Sequence, residues 1–275
     1  MAWTTEPAEH LSDHGDRQVP PGALNLAVNV WAGPPAWLRA ALAEVDLAGY
    51  PDPSAGAAAA ADRHGVPASA CRLLNGAAEA FWALAYGLRK RIARLTRPGR
   101  TVVVDEAFDD FLPDATGLAA MGLPGVLCIR SLTKLWGLAG LRVGYALGPP
   151  DVVARLAAAV QPWPVNCLAA RAVELLSHAE TARRERARAV AAARAQLIRG
   201  LAGLPVEVWA SPANFVLLRS GRTDLRERLL DAGIAVRRAD TFPGLDAHYL
   251  RVAVTADPAS RARFLAALAR ALRPA

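Results

Sequence analysis

Apolar residues along this chain follow two spacings, and each predicts a different kind of element. Continuous apolar runs predict strands, and two of them end in polar groups as buried parallel strands do: TVVVDEAF (101–108) and GVLCIRSLTK (125–134). Further strands are predicted at 24–31, 71–74 and 141–148. Apolar residues at helical spacing predict helices at 34–45, 54–65, 77–96, 151–160 and from 167 to about 203. Strands that alternate with helices in this way predict an α/β fold.

The last hundred residues have a different order of elements. Four predicted strands (VEVWA, NFVLLR, IAVRRA and YLRVAV) are combined with two helices (DLRERLLDAG and ASRARFLAALARAL). This order predicts a smaller α+β domain. We therefore expect a flexible N-terminal arm at 1–23, a large domain at 24–170 and a small C-terminal domain at 171–275.

Composition and charge exclude several classes of protein. With 53% hydrophobic and 21% charged residues, the chain is not intrinsically disordered. No apolar run reaches the length of about 18 residues that a membrane span needs. The polar N-terminus lacks the pattern of a signal peptide, and Cys71, Cys128 and Cys167 lie far apart, so we expect a cytoplasmic protein.

The net charge of +7 raises the question of nucleic-acid binding. The arginines of segment 180–199 alternate with alanines and acidic residues, which is typical of a solvated helix face. We expect no nucleic-acid partner. We also expect no metal site, because His10 and His14 have i,i+4 spacing but lie in the flexible arm without further ligands.

Lysine is rare in this chain, and one lysine stands at a position suited to chemistry. Of the 32 basic residues only Lys90 and Lys134 are lysines. Lys90 lies in a charge run typical of a solvated surface. Lys134 follows Ser131 and Thr133 at the end of a predicted strand, and a desolvated lysine there can attack a carbonyl carbon.

Other residues at the strand ends have the chemistry of a phosphate and cofactor pocket. Arg142 adds a guanidinium, and the amides after Gly76 open a predicted helix, so both can bind an anion. Asp105 can pair with a cationic ring nitrogen. Gly76 as a plain turn residue and Asp105 as a helix cap are the structural alternatives. Together these residues predict a pyridoxal 5′-phosphate site in which Lys134 forms the Schiff base and Asp105 keeps the ring nitrogen protonated.

The sequence resembles a known family in these motifs. SLTKLWGLAGLRVGYALG is similar to the lysine motif of class I/II aminotransferases, VVVDEAFDDF to their aspartate strand and LNGAAEAF to their phosphate-binding turn. LNLAVNVWAGPP, GYPDP, NFVLLR, IAVRRADTF and YLRVAV resemble the histidinol-phosphate aminotransferase and threonine-phosphate decarboxylase branch. The resemblance implies fold type I architecture, with a mostly parallel sheet in a large domain that is shortened here and a small C-terminal α+β domain.

The resemblance also implies a set of cofactor residues at the matching positions. The set is Tyr50, Gly76, Ala77, Asp105, Phe108, Ser131, Thr133, Lys134 and Arg142. Lys134 and Asp105 are implied to be catalytic, the former as the cofactor-bearing lysine and proton shuttle. Ser131, Thr133, Arg142 and the amides of Gly76 and Ala77 are implied to hold the phosphate. Tyr50 is implied to reach the phosphate of a partner subunit, which implies a homodimer.

The substrate implied by the resemblance is a small amino acid or an amino-acid phosphate, with a role in cobalamin biosynthesis. Arg251 is implied to clamp its carboxylate, and Asn29 to lie close to it. Phe108 stands where many aminotransferases have a tyrosine that bonds the ring hydroxyl. Because the decarboxylase-like branch often has this phenylalanine, threonine-phosphate decarboxylation is the alternative reaction.

One departure from the family is large. Family members have several dozen residues between the phosphate-turn helix and the aspartate strand, including an aromatic residue that stacks on the ring and an asparagine that bonds its hydroxyl. Here residues 89–100 alone lie between, which indicates an internal deletion after about Leu88. We expect exposed sheet edges and weaker cofactor binding. A shortened enzyme and an inactive homologue both remain open.

Overall fold

The computed structural model describes residues 19–77, 101–112, 125–242 and 244–273. The predictions for the arm before residue 19 and for the helix after Ala77 lie outside these residues, as do His10, His14 and Lys90. None of the helices in the described ranges has the length and apolar composition needed to cross a bilayer.

The described residues form nine strands and seven helices. The strands are β1 (Leu24–Leu26), β2 (Cys71–Leu74), β3 (Val102–Asp105), β4 (Val126–Ser131), β5 (Gly144–Leu147), β6 (Val206–Ala210), β7 (Phe215–Ser220), β8 (Ile234–Arg238) and β9 (Tyr249–Ala253). The helices are α1 (Ala36–Ala43), α2 (Ser54–Arg63), α3 (Pro150–Ala157), α4 (Cys167–Ser177), α5 (Glu180–Leu201), α6 (Leu225–Asp231) and α7 (Pro258–Ala271). Each of these elements falls in a segment where the sequence pattern predicts its type.

The chain divides into two compact units. One comprises residues 32–188, and the other combines the described residues up to Trp31 with those from Ala189 onward. The division therefore falls inside α5 and assigns β1 to the unit that contains the C-terminal strands. The domain division expected from the sequence, at 23/24 and 170/171, remains a proposal.

The unit of residues 32–188 contains a four-stranded sheet in the order β2-β5-β4-β3. β3 pairs with β4 in parallel, whereas β5 is antiparallel to both β2 and β4. Three of the four strands therefore run in one direction, but two of the three pairings are antiparallel, so the sheet is mixed rather than mostly parallel as expected. Their carboxyl ends meet at one edge, where ligands bind in open α/β sheets.

Helix α3 covers part of this sheet with an apolar face. Pro150 opens the helix, where its fixed φ suits the first turn. Its buried residues pack with residues of β2, β4 and β5 in one cluster: Leu74, Leu127, Ile129, Ala146, Val152, Val153 and Leu156. This packing holds β2, β4 and β5 in position, and β2 and β4 end at the edge where the carboxyl ends of the strands meet.

Strand β3 is parallel, as expected, but the expectation that it is buried is wrong. Val102 and Val103 are 48% and 36% exposed. β3 is the last strand of the sheet, with β4 as its partner among the described residues. An apolar strand at an open edge is the structural result expected from the loss of neighbouring strands.

The single helix expected from 167 to about 203 is also wrong, since the segment forms two helices. Asn166 caps the start of α4 by accepting a hydrogen bond from the amide of Ala169. α4 ends at Ser177, whose hydroxyl donates back to the carbonyl oxygen of Val173. Helix α5 then starts at Glu180, a favourable residue near the positive end of a helix.

The other unit contains a five-stranded sheet in the order β1-β8-β9-β7-β6. β1 is parallel to β8, and the remaining pairs are antiparallel. Helix α7 begins after Asp257, whose carboxylate accepts hydrogen bonds from the amides of Ala259 and Ser260. The predicted α+β character of the C-terminal region is confirmed.

Candidate functional site

The register of the four-stranded sheet aligns the segments that carry the predicted cofactor residues. Leu74, Gly144 and Ser131 lie side by side on β2, β5 and β4. The chain leaves β2 and β4 just after this row and enters β5 just before it. The segments at this edge contain Gly76, Ala77, Thr133, Lys134 and Arg142. The fold thus gathers residues that are up to 66 positions apart in the sequence.

Gly76 lies against the side chain of Arg142. Its φ is 78°, and a Cβ atom built on it would lie 2.6 Å from an Nη atom of Arg142. The backbone of Arg142 is itself left-handed, with φ at 55°. On the neighbouring strand, a Cβ atom on Gly144 would lie 2.9 Å from the amide nitrogen of Ala77. Two glycines therefore permit a close approach of backbone amides and a guanidinium, which is an arrangement suited to an anion.

Two hydroxyls lie where β4 leaves the sheet. The Oγ atom of Ser131 and the Oγ1 atom of Thr133 are 2.8 Å apart, and the amide of Thr133 donates to Ser131 Oγ at 3.3 Å. Both residues are buried. These hydroxyls precede Lys134 directly and add neutral donors to the same edge.

Lys134 is half-buried in a loop that is held from outside by Arg186 of α5. The Nε atom of Arg186 donates to the carbonyl oxygen of Leu135, and its Nη2 atom donates to those of Ala32 and Gly33. The guanidinium also lies 5.5 Å from the ring centre of buried Trp136. Arg186 therefore holds both the backbone and a side chain of the segment that follows Lys134.

Asp105 ends β3 at the same edge of the sheet. Its Oδ1 atom accepts a hydrogen bond from the amide of Ala107 at 3.0 Å. The following turn continues into a short 3₁₀ segment at Asp109–Phe111. Phe108 is half-buried and lies 5.9 Å from Phe111 between ring centres. A phenylalanine has no hydroxyl to donate at this position.

A buried network of charges supports this turn. Arg130 of β4 donates to the carboxylates of Glu106, Asp109 and Asp110. Asp110 also receives a bond from Arg63, and although burial acts to raise its pKa, the surrounding arginines lower the pKa of Asp110 below its usual value. The network keeps the turn charged and rigid inside the unit.

His64 and Tyr145 form a neutral pair beside this network. The Nε2 atom of His64 lies 3.0 Å from the Oη atom of Tyr145. Burial, together with the charges of Arg130 and Arg63, lowers the pKa of His64 from 6.5 to about 3. His64 is therefore a neutral structural residue at physiological pH.

Tyr50 is far from buried. It is 80% exposed and stacks on Trp163, with 4.5 Å between ring centres and 17° between ring planes. Trp163 is 57% exposed and has a left-handed backbone, with φ at 53°. A left-handed backbone is unusual for a residue with a bulky side chain, and it indicates that the surrounding structure holds Trp163 in this conformation.

Arg251 and Asn29 belong to the other compact unit. The Nη2 atom of Arg251 donates to the carbonyl oxygen of Ala27, and its guanidinium lies 5.6 Å from the ring centre of Phe215. Burial, with a contribution from Arg237, lowers the pKa of Arg251 to about 10. No carboxylate lies within ion-pair distance of Arg251 among the described residues. Asn29 is 3% exposed, and its Oδ1 atom has no partner within the described part of the chain.

This chain is similar to proteins of one known family. The profile of "Aminotransferase class I and II" matches residues 88–268. A histidinol-phosphate aminotransferase of Mycobacterium tuberculosis is 38% identical over 322 aligned residues, which cover 91% of this chain and 88% of that protein. The chain belongs to the class I and II aminotransferase family. The predicted family, an enzyme family that uses pyridoxal phosphate, is confirmed.

Two further proteins extend this result. The threonine-phosphate decarboxylase of Salmonella typhimurium is 38% identical over 173 residues, or 61% of this chain and 47% of that protein. The solved histidinol-phosphate aminotransferase from Sinorhizobium meliloti, in complex with pyridoxal-5′-phosphate, has a TM-score of 0.80 at 18% identity, covering 99% of this chain and 98% of that one. The predicted fold type I architecture is confirmed for this aminotransferase-family chain.

The alignment also shows that this family member lacks internal residues. It is 322 positions long, whereas the chain has 275 residues, so at least 47 positions of the mycobacterial relative have no counterpart here. The family match begins at residue 88, where the sequence analysis expects the break. Strand β3, with its exposed valines, follows this point.

Some residues that shape the site were missed from the sequence. Arg130, Arg186 and the His64–Tyr145 pair were not singled out. Arg130 had a recognisable signal, because a charged residue inside an apolar strand needs buried counter-charges, and the DEAFDDF segment supplies them. Arg186 had no signal, since it looks like the other arginines of its helix. No cluster of three metal-ligating side chains occurs among the described residues.

Proposed function

We propose that this chain is a pyridoxal-phosphate-dependent aminotransferase that acts on a small amino acid or an amino-acid phosphate. One observation carries the proposal: the in-register row of Leu74, Gly144 and Ser131 brings the predicted phosphate and lysine residues to one edge of the sheet. The close approach of Gly76 to Arg142 supports a phosphate site at this edge, because it brings backbone amides and a guanidinium close together.

Two residues would carry the chemistry. Bound pyridoxal phosphate supplies a protonated ring that withdraws electrons from the substrate Cα. Lys134 would anchor the cofactor covalently and move a proton to and from Cα through its Nζ atom. Asp105 would hold the proton on the ring nitrogen through a charge-assisted hydrogen bond.

The phosphate-binding role is divided among different kinds of donor. Ser131 and Thr133 would donate their hydroxyls, and Arg142 its guanidinium. Gly76 and Ala77 would donate backbone amides, which cost no side-chain entropy to place. Phe108 would contact the ring side of the site without a bond to the ring hydroxyl.

Two further residues would select the substrate. Arg251 would bind the substrate carboxylate, and the support for this role is a half-buried guanidinium that donates to a neutral carbonyl oxygen. Asn29 would contribute its amide, whose Oδ1 atom is buried and unpaired within the described ranges. A buried polar atom without a partner favours a site that a ligand completes.

Threonine-phosphate decarboxylation is the second candidate. Phe108 favours it, since this branch often replaces the ring-binding tyrosine, and threonine-phosphate decarboxylases are among the similar proteins. A role in cobalamin biosynthesis is part of the proposal. The orientation in which Arg251 would hold the substrate would decide between the two reactions.

The proposal includes a cytoplasmic homodimer that binds neither membranes nor nucleic acid. Tyr50 would complete the phosphate site of the partner subunit. Its 80% exposure supports this role, because its own chain leaves the ring open to a second copy. The stack on Trp163 would hold the ring ready for that contact.

The test is to add pyridoxal phosphate to the purified protein, record its visible absorption, reduce with borohydride and map the labelled peptide. We expect a visible band and a label on Lys134. Lys90 is the internal control, because it is the other lysine of the chain. The Lys134→Arg variant should lose both the band and the label.

Substrate tests then separate the two reactions. Histidinol phosphate and threonine phosphate are each supplied to unreduced protein with bound pyridoxal phosphate. The keto product and carbon dioxide are measured separately. Keto product without carbon dioxide supports transamination, and carbon dioxide from threonine phosphate supports decarboxylation. Labelling of Lys90 as readily as Lys134 would contradict the proposal and favour an inactive homologue.

A further inference from the structure

We propose that Arg130 is the positioning residue for Asp105: it grips the turn after β3 and thereby aims the Asp105 carboxylate at the cofactor ring. The inference rests on the proposed function and adds a residue that the motifs do not assign. It is carried by the contacts that Arg130 makes on both sides of Phe108.

The grip has three points. Arg130 Nη1 donates to Glu106 Oε2 at 2.9 Å and to Asp109 Oδ2 at 2.5 Å, and Nη2 donates to Asp110 Oδ1 at 3.0 Å. Glu106 precedes Phe108 in the turn, whereas Asp109 and Asp110 follow it. A planar guanidinium with several fixed donors is the side chain that can hold three carboxylates in one geometry.

This turn after β3 also holds Asp105 in place. The amide of Glu106 donates to the carbonyl oxygen of Ile129, which continues the β3–β4 ladder past the end of β3. The amide of Ala107 donates to Oδ1 of Asp105 at 3.0 Å. Oδ1 is thereby fixed by the turn, and we assign Oδ2 to the ring nitrogen. A shift of Ala107 would rotate the carboxylate away from that direction.

Among the described residues β3 is paired on one side only, which makes this grip important. β4 is the partner of β3 among the described residues, and Val102 and Val103 are exposed. In a sheet with strands on both sides, the neighbours would fix the end of β3. Here the anchoring of its end comes from Arg130, which lies on the paired side and is 4% exposed.

The charges of the network support a permanent grip. Burial opposes the charge of Arg130, but the carboxylates of Asp110, Asp109 and Glu106 outweigh it and raise the pKa of the guanidinium above its usual value. Arg63 binds Asp110 from α2 at 3.0 Å, without a bond to Glu106 or Asp109 within the described ranges. Arg63 is therefore the matched control, since it touches the same network through Asp110.

The test compares Arg130→Lys with Arg63→Lys. Lysine keeps the positive charge but lacks the planar set of fixed donors of a guanidinium. Arg130→Lys should therefore release one or two of the three carboxylates. The first readout is amide hydrogen exchange at Ala107 in the protein without cofactor, which reports the bond to Asp105 directly. We expect exchange about tenfold faster in Arg130→Lys and unchanged in Arg63→Lys.

The second readout is the ¹⁵N chemical shift of the ring nitrogen in bound, ¹⁵N-labelled pyridoxal phosphate. We expect a protonated nitrogen in the wild type and in Arg63→Lys, and a shift toward the neutral form in Arg130→Lys. A general loss of stability would affect both variants alike and would not move this signal in one of them.

The outcomes separate the two proposals. If the wild type binds no cofactor at Lys134, the proposed function fails, and the exchange rate of Ala107 still decides the role of Arg130. If folded Arg130→Lys has wild-type exchange at Ala107, or a wild-type ring shift, the inference is overturned. If Arg130→Lys does not fold, Asp109→Asn replaces it, because it removes one charged contact, and unchanged exchange there also overturns the inference.

Discussion

The Nε atom of Arg186 lies 3.1 Å from the carbonyl oxygen of Leu135, the residue that follows the candidate catalytic lysine. The same guanidinium binds two carbonyl oxygens of the segment 32–33. Burial lowers the pKa of Arg186, and its bonds go to neutral acceptors. One side chain of α5 thus joins the loop after Lys134 to the segment 32–33.

Replacement of Arg186 should therefore loosen the lysine loop. We expect Arg186→Met to reduce the free energy of unfolding by about 1–3 kcal/mol, because the carbonyl oxygens of Leu135, Ala32 and Gly33 lose their donor. Urea unfolding measures this loss. Arg184→Met is the control on the same helix, because Arg184 is exposed and binds half-exposed Glu180. Equal losses in the two variants would argue against a special role for Arg186.

Gly76 should tolerate no side chain. In Gly76→Ala the new Cβ atom would lie 2.6 Å from the Arg142 guanidinium, on a backbone with φ at 78°. We expect the dissociation constant of pyridoxal phosphate to rise about tenfold or more, since Arg142 must move. Gly140→Ala is the control, because nothing lies within 4 Å of its Cβ position. Equal affinities in both variants and the wild type would place the phosphate elsewhere.

The missing internal segment should weaken cofactor binding. An aromatic stack and a hydrogen bond to the ring hydroxyl are each worth about 1 kcal/mol, so their loss predicts a dissociation constant about 10–100-fold above that of an intact relative. Fluorescence titration of this chain and the mycobacterial relative measures the ratio. A ratio near one would show that other groups replace the missing contacts.

A shared site predicts complementation between two inactive variants. Tyr50→Ala and Lys134→Ala are each expected to lose activity, but a mixed dimer contains one site with an intact Lys134 and an intact Tyr50. Refolding the two together should restore about a quarter of the wild-type activity, as random pairing requires. Recovery absent from verified mixed dimers would remove Tyr50 from the partner's site.

Stability should fall between pH 7 and pH 4.5 because of His64. Its pKa is about 3 in the folded protein and 6.5 when unfolded, so the unfolded state takes up the proton first as the pH falls. The expected loss is about 2–3 kcal/mol over this range. Urea unfolding at the two pH values measures it, and His64→Gln should remove most of the dependence.

Other groups of the network act at lower pH. The pKa of Glu180 is lowered to about 2 by hydrogen bonds from Arg183 and Arg184, so its contribution disappears only below pH 4.5. A His64→Gln protein that keeps the full loss above pH 4.5 would assign the effect to another group.

Much of the site could be predicted because its residues lie in contiguous motifs. Ser131, Thr133 and Lys134 are three positions apart at most, and strand ends are readable from apolar runs. Arg130 and Arg186 could not be assigned in this way, because their roles depend on partners that are distant in sequence. The bonds of Arg186 to Ala32 and Gly33 cross more than 150 positions.

The exposure of β3 was harder to predict from its own residues. Val102 and Val103 have the composition of a central strand, and composition does not say how many neighbours a strand keeps. The break at 178–179 was missed for a local reason, since alanine-rich segments favour a helix through any short interruption.

The open edge of β3 has a practical consequence for protein engineering. A sheet that ends in an unshielded strand can be extended without being rebuilt, because the register of β3 on β4 is already set. The segment of the mycobacterial relative that this chain lacks could be grafted between Leu88 and Thr101, where it would meet a prepared strand edge. Strands could then be added to the shortened chain one at a time, and the contribution of each strand to cofactor binding could be measured.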